Sequence, residues 1–359
     1  MPASQGPSPA PRLSRPLRLG ITGGNGLLAR ELAELLPNSP LARPGPAIVR
    51  HFAPPGGASD LGASHGPARQ EKKVAAQLAE LGGEAVVLEP LTATSFEGLD
   101  AVFFTADAAE TQTWGPRAGA AGAITVDVTS APAASSASKP ASPGESASPR
   151  PLALRVPHPA AQALAAVLPA LARLGVQRTA ATIFPPASER GMEGIKELRD
   201  QSLRLLAVQS LPTAVFDAQI AFNLRSVLGE EAHPSLADVA AVIAADLRAL
   251  ADGFALPAIH LLQAPIFHAY FVSVLAEWDQ PPAEADLIAA LRAAPACFCP
   301  RDEPQPAPAA TAGENGVQLG APSRDPIHPG AFWIPLSADN LRLRAAAALH
   351  LAAGALDRL

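Results

Sequence analysis

Apolar positions along the first third of the chain follow two periods in turn. In residues 17–36 (LRLGITGGNGLLARELAELL), alternation at Leu17, Leu19 and Ile21 gives way to helical spacing at Leu27, Leu28, Leu32, Leu35 and Leu36. That pattern predicts a strand, a tight turn and a helix. Short apolar runs at 47–53, 85–88, 99–104 and 123–128 read as further strands, and 71–81 and 114–121 read as helices between them. Strands alternating with helices predict an α/β domain with a parallel, doubly wound sheet, whose ligand lies at the carboxyl ends of the strands.

Beyond residue 130 the pattern changes. Residues 131–151 are almost entirely Ala, Ser and Pro, too poor in apolar area to offset the entropy of ordering, and read as a flexible linker. Residues 157–174 form an apolar helix, leading through Gly175 to a strand at 178–184. An amphipathic helix follows at 194–206, with Leu198, Leu205 and Leu206 on one face. Another at 235–250 is capped by Ser235 after Pro234. Residues 259–267 and 271–278 read as long strands, 284–293 as a helix, 301–324 as a second low-complexity, flexible loop, and 337–359 as an Ala/Leu helix. Residues 1–16, rich in Pro and Ser, read as a disordered tail without a signal region. A length of 359 residues fits about two domains.

Charge and cysteine usage narrow the partners. The formal net charge is −6 with no basic run, which argues against nucleic acid. No apolar run approaches the roughly 18 uninterrupted residues of a membrane span, so no membrane partner is expected. The two cysteines, Cys297 and Cys299, give no disulfide framework and fit a reducing compartment, the cytoplasm. A C-x-C pair without two further Cys or His nearby predicts no metal site.

The glycines of the opening turn, Gly20, Gly23 and Gly26, are the first candidate chemistry. A turn there needs positive φ, and a Cβ would hold the backbone away from a pyrophosphate at the helix N-terminus. Thr22 and Asn25 add a hydroxyl and an amide to this candidate cofactor site. The second strand runs into Pro54-Pro55, with neither an acid for a ribose nor an arginine for a 2′-phosphate, so binding is expected to be weak and NAD and NADP stay undistinguished.

Seven phrases in order resemble the aspartate-semialdehyde dehydrogenase family over most of residues 17–359: GITGGNG, LDAVFFTA, ITVDVTSA, GMEGIKELRDQS, IAFN at 220–223, QAPIFHAY and SADNLR. The resemblance implies a Rossmann-like dinucleotide-binding domain from 17–130 with 337–359, and an α+β dimerisation domain, the catalytic one in the family, from 152–336. It implies NAD or NADP as cofactor, with Asn340 at the nicotinamide amide. It also implies a homodimer, for which the apolar residues Phe267, Tyr270, Phe271 and Trp278 supply more than one packed face needs.

The family's reaction uses a cysteine thiolate that attacks an aldehyde, a histidine acid/base, and arginines for substrate and phosphate. Carried to this chain, the cysteine position falls on or beside Pro159, a neighbouring glutamine on Pro185, a substrate arginine on Gln263 and the histidine on Tyr270. No cysteine occurs before Cys297. His268, two residues before Tyr270 on the expected strand face, and His158, beside Pro159, are expected to be structural. The chain is most similar to the family's non-catalytic Usg-like members. It is expected to bind a nucleotide without dehydrogenase turnover; the alternatives are a divergent NADP-dependent semialdehyde dehydrogenase of amino-acid biosynthesis and a purely structural subunit.

Overall fold

The computed structural model describes residues 15–43, 45–53, 77–81, 83–129, 152–251 and 253–358. Nearly all of the expected tail, the linker at 131–151 and Pro54-Pro55 lie outside them. The chain divides into two compact units, Met1–Val156 with Ala345–Leu359, and Pro157–Arg344.

The first unit runs β1 (Arg18–Ile21), α1 (Leu27–Leu35), β2 (Ile48–Phe52), β3 (Gln77–Leu81), β4 (Glu84–Glu89), β5 (Ala101–Phe104), α2 (Ala108–Ala120), β6 (Ile124–Asp127) and β7 (Ala153–Arg155). The sheet order is β3-β4-β2-β1-β5-β6-β7. Every pairing is parallel except β3 with β4. All four residues of β5 are buried, as befits a central parallel strand covered on both faces. Leu19, Ile21 and Phe103 pack with Ala29 and Leu32 of α1 and with Ala345, Ala348 and Leu349 of the final helix. Phe52, Phe104, Phe96 and Trp114 form a separate aromatic cluster.

Two expectations for this unit are corrected. Of the helix read at 71–81, residues 71–76 are outside the described set and Gln77–Leu81 is strand β3, antiparallel to β4 in register from Gln77–Leu88 to Leu81–Glu84. The ladder to β4 and burial of Leu81 outweigh the helical propensity of Gln, Leu, Ala and Glu. The helix read at 114–121 begins earlier, because Asp107 caps it by accepting from the Glu110 amide at 2.7 Å.

The second unit comprises α3 (Pro159–Arg173), β8 (Arg178–Phe184), α4 (Gly191–Leu206), α5 (Leu236–Leu250), β9 (Ala258–Leu261), β10 (Tyr270–Glu277), α6 (Glu284–Arg292), β11 (Cys297–Phe298), α7 (Pro308–Thr311), β12 (Val317–Leu319), β13 (Ser323–Arg324), β14 (Ala331–Ala338) and the start of α8 (Asn340–Leu356). Its sheet is ordered β11-β12-β14-β10-β8-β9, with β13 also on β14. The centre is antiparallel, and the edge pairs β8–β9 and β11–β12 are parallel. One set of alternating side chains, Val272, Val274, Ile334 and Leu336, is buried in one core with Leu164 and Leu171 of α3, Ile243 of α5 and Leu287 of α6. The other set on β8 and β10, including Phe184 and Phe271, stays partly exposed.

Three segments differ from expectation here. The strand read at 259–267 stops at Leu261; Gln263 then pairs with Arg225 in a single bridge, and Pro265 has no amide to extend a ladder. The loop read at 301–324 holds α7, β12 and β13, its backbone recruited by β14 despite a weak apolar pattern. Ser337 and Ala338 close β14, so the last helix begins at Asn340.

Candidate functional site

In the first unit the chain turns from β1 into α1 through Gly23 and Gly24, at φ 83° and 59°. A Cβ at Gly23 would stand 2.2 Å from Thr105 Oγ1, so glycine is required there by the fold as well as by any ligand. Gly20 lies within β1 and leaves room for Leu99 and Phe52. Gly26 is the N-cap of α1 and offers no side-chain acceptor, so the helix start is uncapped by the protein. From β1 the chain leads to β2 on one side and returns to β5 on the other, which makes the β1/β5 crevice the switch point of the sheet. The two loops meet there: the Thr22 amide donates to Phe103 O at 2.9 Å, and the Thr105 hydroxyl donates to Thr22 O at 2.6 Å.

The expected ligand groups fare differently. Gly20, Gly23 and Gly26 stand on the strand–turn–helix path read for them. The Thr22 hydroxyl is buried and donates to Glu110 Oε2 at 2.6 Å, so it is committed inward. Asn25 is exposed and accepts from Arg30 Nε at 2.6 Å, bringing a guanidinium to the turn. The sequence reading missed Arg30 and Glu110. An Asp107-x-x-Glu110 spacing marks the α2 start, but nothing local shows that Glu110 reaches back to β1.

In the second unit Pro159 opens α3, where its missing amide costs nothing. His158 is the N-cap: its Nδ1 accepts from the Ala160 amide at 3.2 Å, leaving Nε2 3.4 Å from the Tyr270 hydroxyl, with the rings edge to face. Tyr270 is fully buried, and burial together with the charge of Glu189 raises its pKa well above the ordinary phenol value. Gln263 is buried and donates to Pro185 O at 3.0 Å and Ala264 O at 3.1 Å; Pro185 is itself buried. Asn340 accepts from the Ser188 hydroxyl at 3.0 Å, and Arg344, one turn along α8, pairs with Glu189 at 2.6 Å. Asn340 Nδ2, Arg344 Nε and Glu189 Oε1 have no hydrogen-bond partner. Glu189 and Arg344 are 155 residues apart and gave no signal in the sequence.

His268 is not on the Tyr270 strand face. Ala269, at φ 67°, turns the chain between them, and His268 lines an apolar groove of about 650 Å³ with Phe184, Phe267 and Phe271. Among the described residues no group of three or more His, Cys, Asp or Glu is placed to hold a metal ion. None of their helices is long and apolar enough to cross a membrane.

A parallel sheet with a glycine turn at its switch point, and a mixed sheet covered by helices on one side, define a Rossmann-like unit followed by an α+β unit. Residues 167–343 match the model of the semialdehyde dehydrogenase dimerisation domain. The chain is 31% identical over 206 residues to a USG-1 protein homolog of Pseudomonas aeruginosa, an alignment that spans 55% of this chain and 60% of that relative. The structure of a probable aspartate-semialdehyde dehydrogenase from P. aeruginosa is similar at a TM-score of 0.73 and 23% identity, covering 95% of this chain and 98% of that one. Aspartate semialdehyde dehydrogenase II from Vibrio cholerae gives 0.72 and 18%, covering 96% and 99%. At such identities the two structures speak for the fold. The resemblance read from the sequence phrases is borne out, and with it the fold class.

Proposed function

We propose that this chain is a homodimeric, nucleotide-binding relative of the aspartate-semialdehyde dehydrogenases that carries out no dehydrogenase turnover. The observation that carries the binding half is the uncapped α1 start at Gly26, beside the β1/β5 switch point, where amides and the helix dipole favour a phosphate. Gly20, Gly23, Asn25, Gly26 and Arg30 frame that end of the sheet, and the ligand is NAD or NADP, held weakly. In the second unit, taken by itself, Asn340 Nδ2 is buried and unpartnered, a donor with room for one further acceptor.

Loss of turnover is supported by what stands at the reactive positions. Pro159 and Pro185 carry no nucleophile or donor, and Gln263 is held by two carbonyls. Tyr270 is buried with a raised pKa, so it stays protonated and cannot act as a base near neutral pH. The free thiols of Cys297 and Cys299 fit a cytoplasmic location.

The test is a thermal-shift titration with NAD, NADP and aspartate semialdehyde, alongside an assay for phosphate-dependent NADP reduction. A nucleotide at about 100 times its dissociation constant adds roughly 2.7 kcal/mol of stability. Stabilisation by NAD or NADP with no turnover is expected. A rate that scales with protein and disappears on one substitution overturns the inactive reading, and no shift with either nucleotide at millimolar concentration overturns the binding one.

A further inference from the structure

Glu110 stands in the first turn of α2, 2% exposed. Its Oε2 accepts from the Thr22 hydroxyl at 2.6 Å and from the Ala106 amide at 3.3 Å, and the Gly23 amide faces the same group. Its Oε1 has no hydrogen-bond partner. Donors from both loops of the switch point therefore converge on one internal carboxyl group, and half of that group is left unsatisfied. A buried carboxylate with a free oxygen is costly, whereas a neutral acid in the same place can still accept from Thr22 and Ala106.

The surroundings favour the neutral form. Thr22 and Gly23 on the β1 side and Thr105 and Ala106 on the β5 side carry no charge. Asp107, the N-cap of the same helix, is a negative neighbour, and Arg30 on α1 is engaged with Asn25. Burial first, with a smaller push from Asp107, raises the Glu110 pKa above the ordinary carboxylate value.

We propose that Glu110 gates the glycine turn by its protonation state: as a neutral acid it leaves the turn open to the phosphates of a nucleotide, and as a carboxylate it sets a fixed negative charge behind the same loops and repels them. The inference rests on the nucleotide-binding reading above. One buried charge acting on a nearby phosphate through a partly low-dielectric interior weakens affinity roughly tenfold.

Calorimetry of the full chain with NAD decides it, run at one pH below and one pH above the titration of Glu110, because the pyrophosphate of NAD stays ionised at both. Glu110→Gln retains an acceptor for Thr22 and holds the site neutral at every pH; circular dichroism checks that it is folded. Wild type is expected to bind NAD roughly tenfold more weakly at the higher pH, and Glu110→Gln to bind equally at both. Equal pH dependence in the two proteins, or none in wild type, overturns the gate and leaves the nucleotide reading standing. No heat from either protein at either pH overturns the nucleotide reading, and the gate with it.

Discussion

Glu189 and Arg344 show how a side chain can be decided by a neighbour far away in sequence. Their side chains are 15% and 6% exposed and 2.6 Å apart, so each neutralises a charge that would otherwise be stranded in the protein. Removing one partner of such a pair costs about 3 kcal/mol or more, while replacing both by neutral residues costs far less. Arg344→Met is expected to lose about 3 kcal/mol in urea unfolding, with Glu189→Gln restoring most of it in the double variant; additive losses would show that the pair is not coupled. Glu110 gives a second expectation at this scale. Its folded pKa is raised, so the folded state holds its proton more tightly than the unfolded chain does. Its contribution to stability is full below the ordinary carboxylate pKa and is lost as pH rises through the raised value. Unfolding free energies of wild type and Glu110→Gln measured across that window should run together at low pH and separate as pH rises, with wild type falling relative to the variant; parallel curves would refute the shift.

Elements whose signals were local came through as read. Ser235 caps α5, accepting from the Asp238 amide at 3.1 Å while Asp238 accepts in return from the Ser235 amide at 3.0 Å. Ser235→Ala is expected to cost about 1 kcal/mol in thermal or urea unfolding, and an unchanged midpoint would show that the box contributes nothing measurable. Elements whose pairing is remote were misread. β3 carries a helix-forming composition and becomes a strand through β4, and β12 and β13 become strands through β14, because backbone amides and carbonyls need partners whatever the side chains prefer. The strand read at 259–267 fails for the converse reason, since apolar content persists past Leu261 after the ladder has ended.

At the scale of the molecule, the mixed sheet leaves Phe184, Phe271 and Leu275 partly exposed and Trp333 37% exposed, with Phe184 and Phe271 in ring contact at 6.0 Å. Such a face suits a second copy of the chain. Light scattering at micromolar concentration is expected to return twice the chain mass, and Leu275→Glu to return the monomer; a monomeric wild type would sink the dimer. The sequence alone determined the glycine turn, strands β1, β2, β4, β5 and β6 of the first unit, the absence of any cysteine before Cys297, and seven ordered phrases that point to one family. These rest on backbone geometry and short-range periodicity, which neighbours along the chain can specify. Only the tertiary structure decided that Thr22 faces Glu110, that His158 and Tyr270 meet, that Glu189 pairs with Arg344, and that His268 turns away into an apolar groove. Those contacts join residues 80 or more positions apart or hinge on one backbone angle at Ala269, and they are fixed by the burial of whole strands and helices, a long-range term that no window along the chain contains.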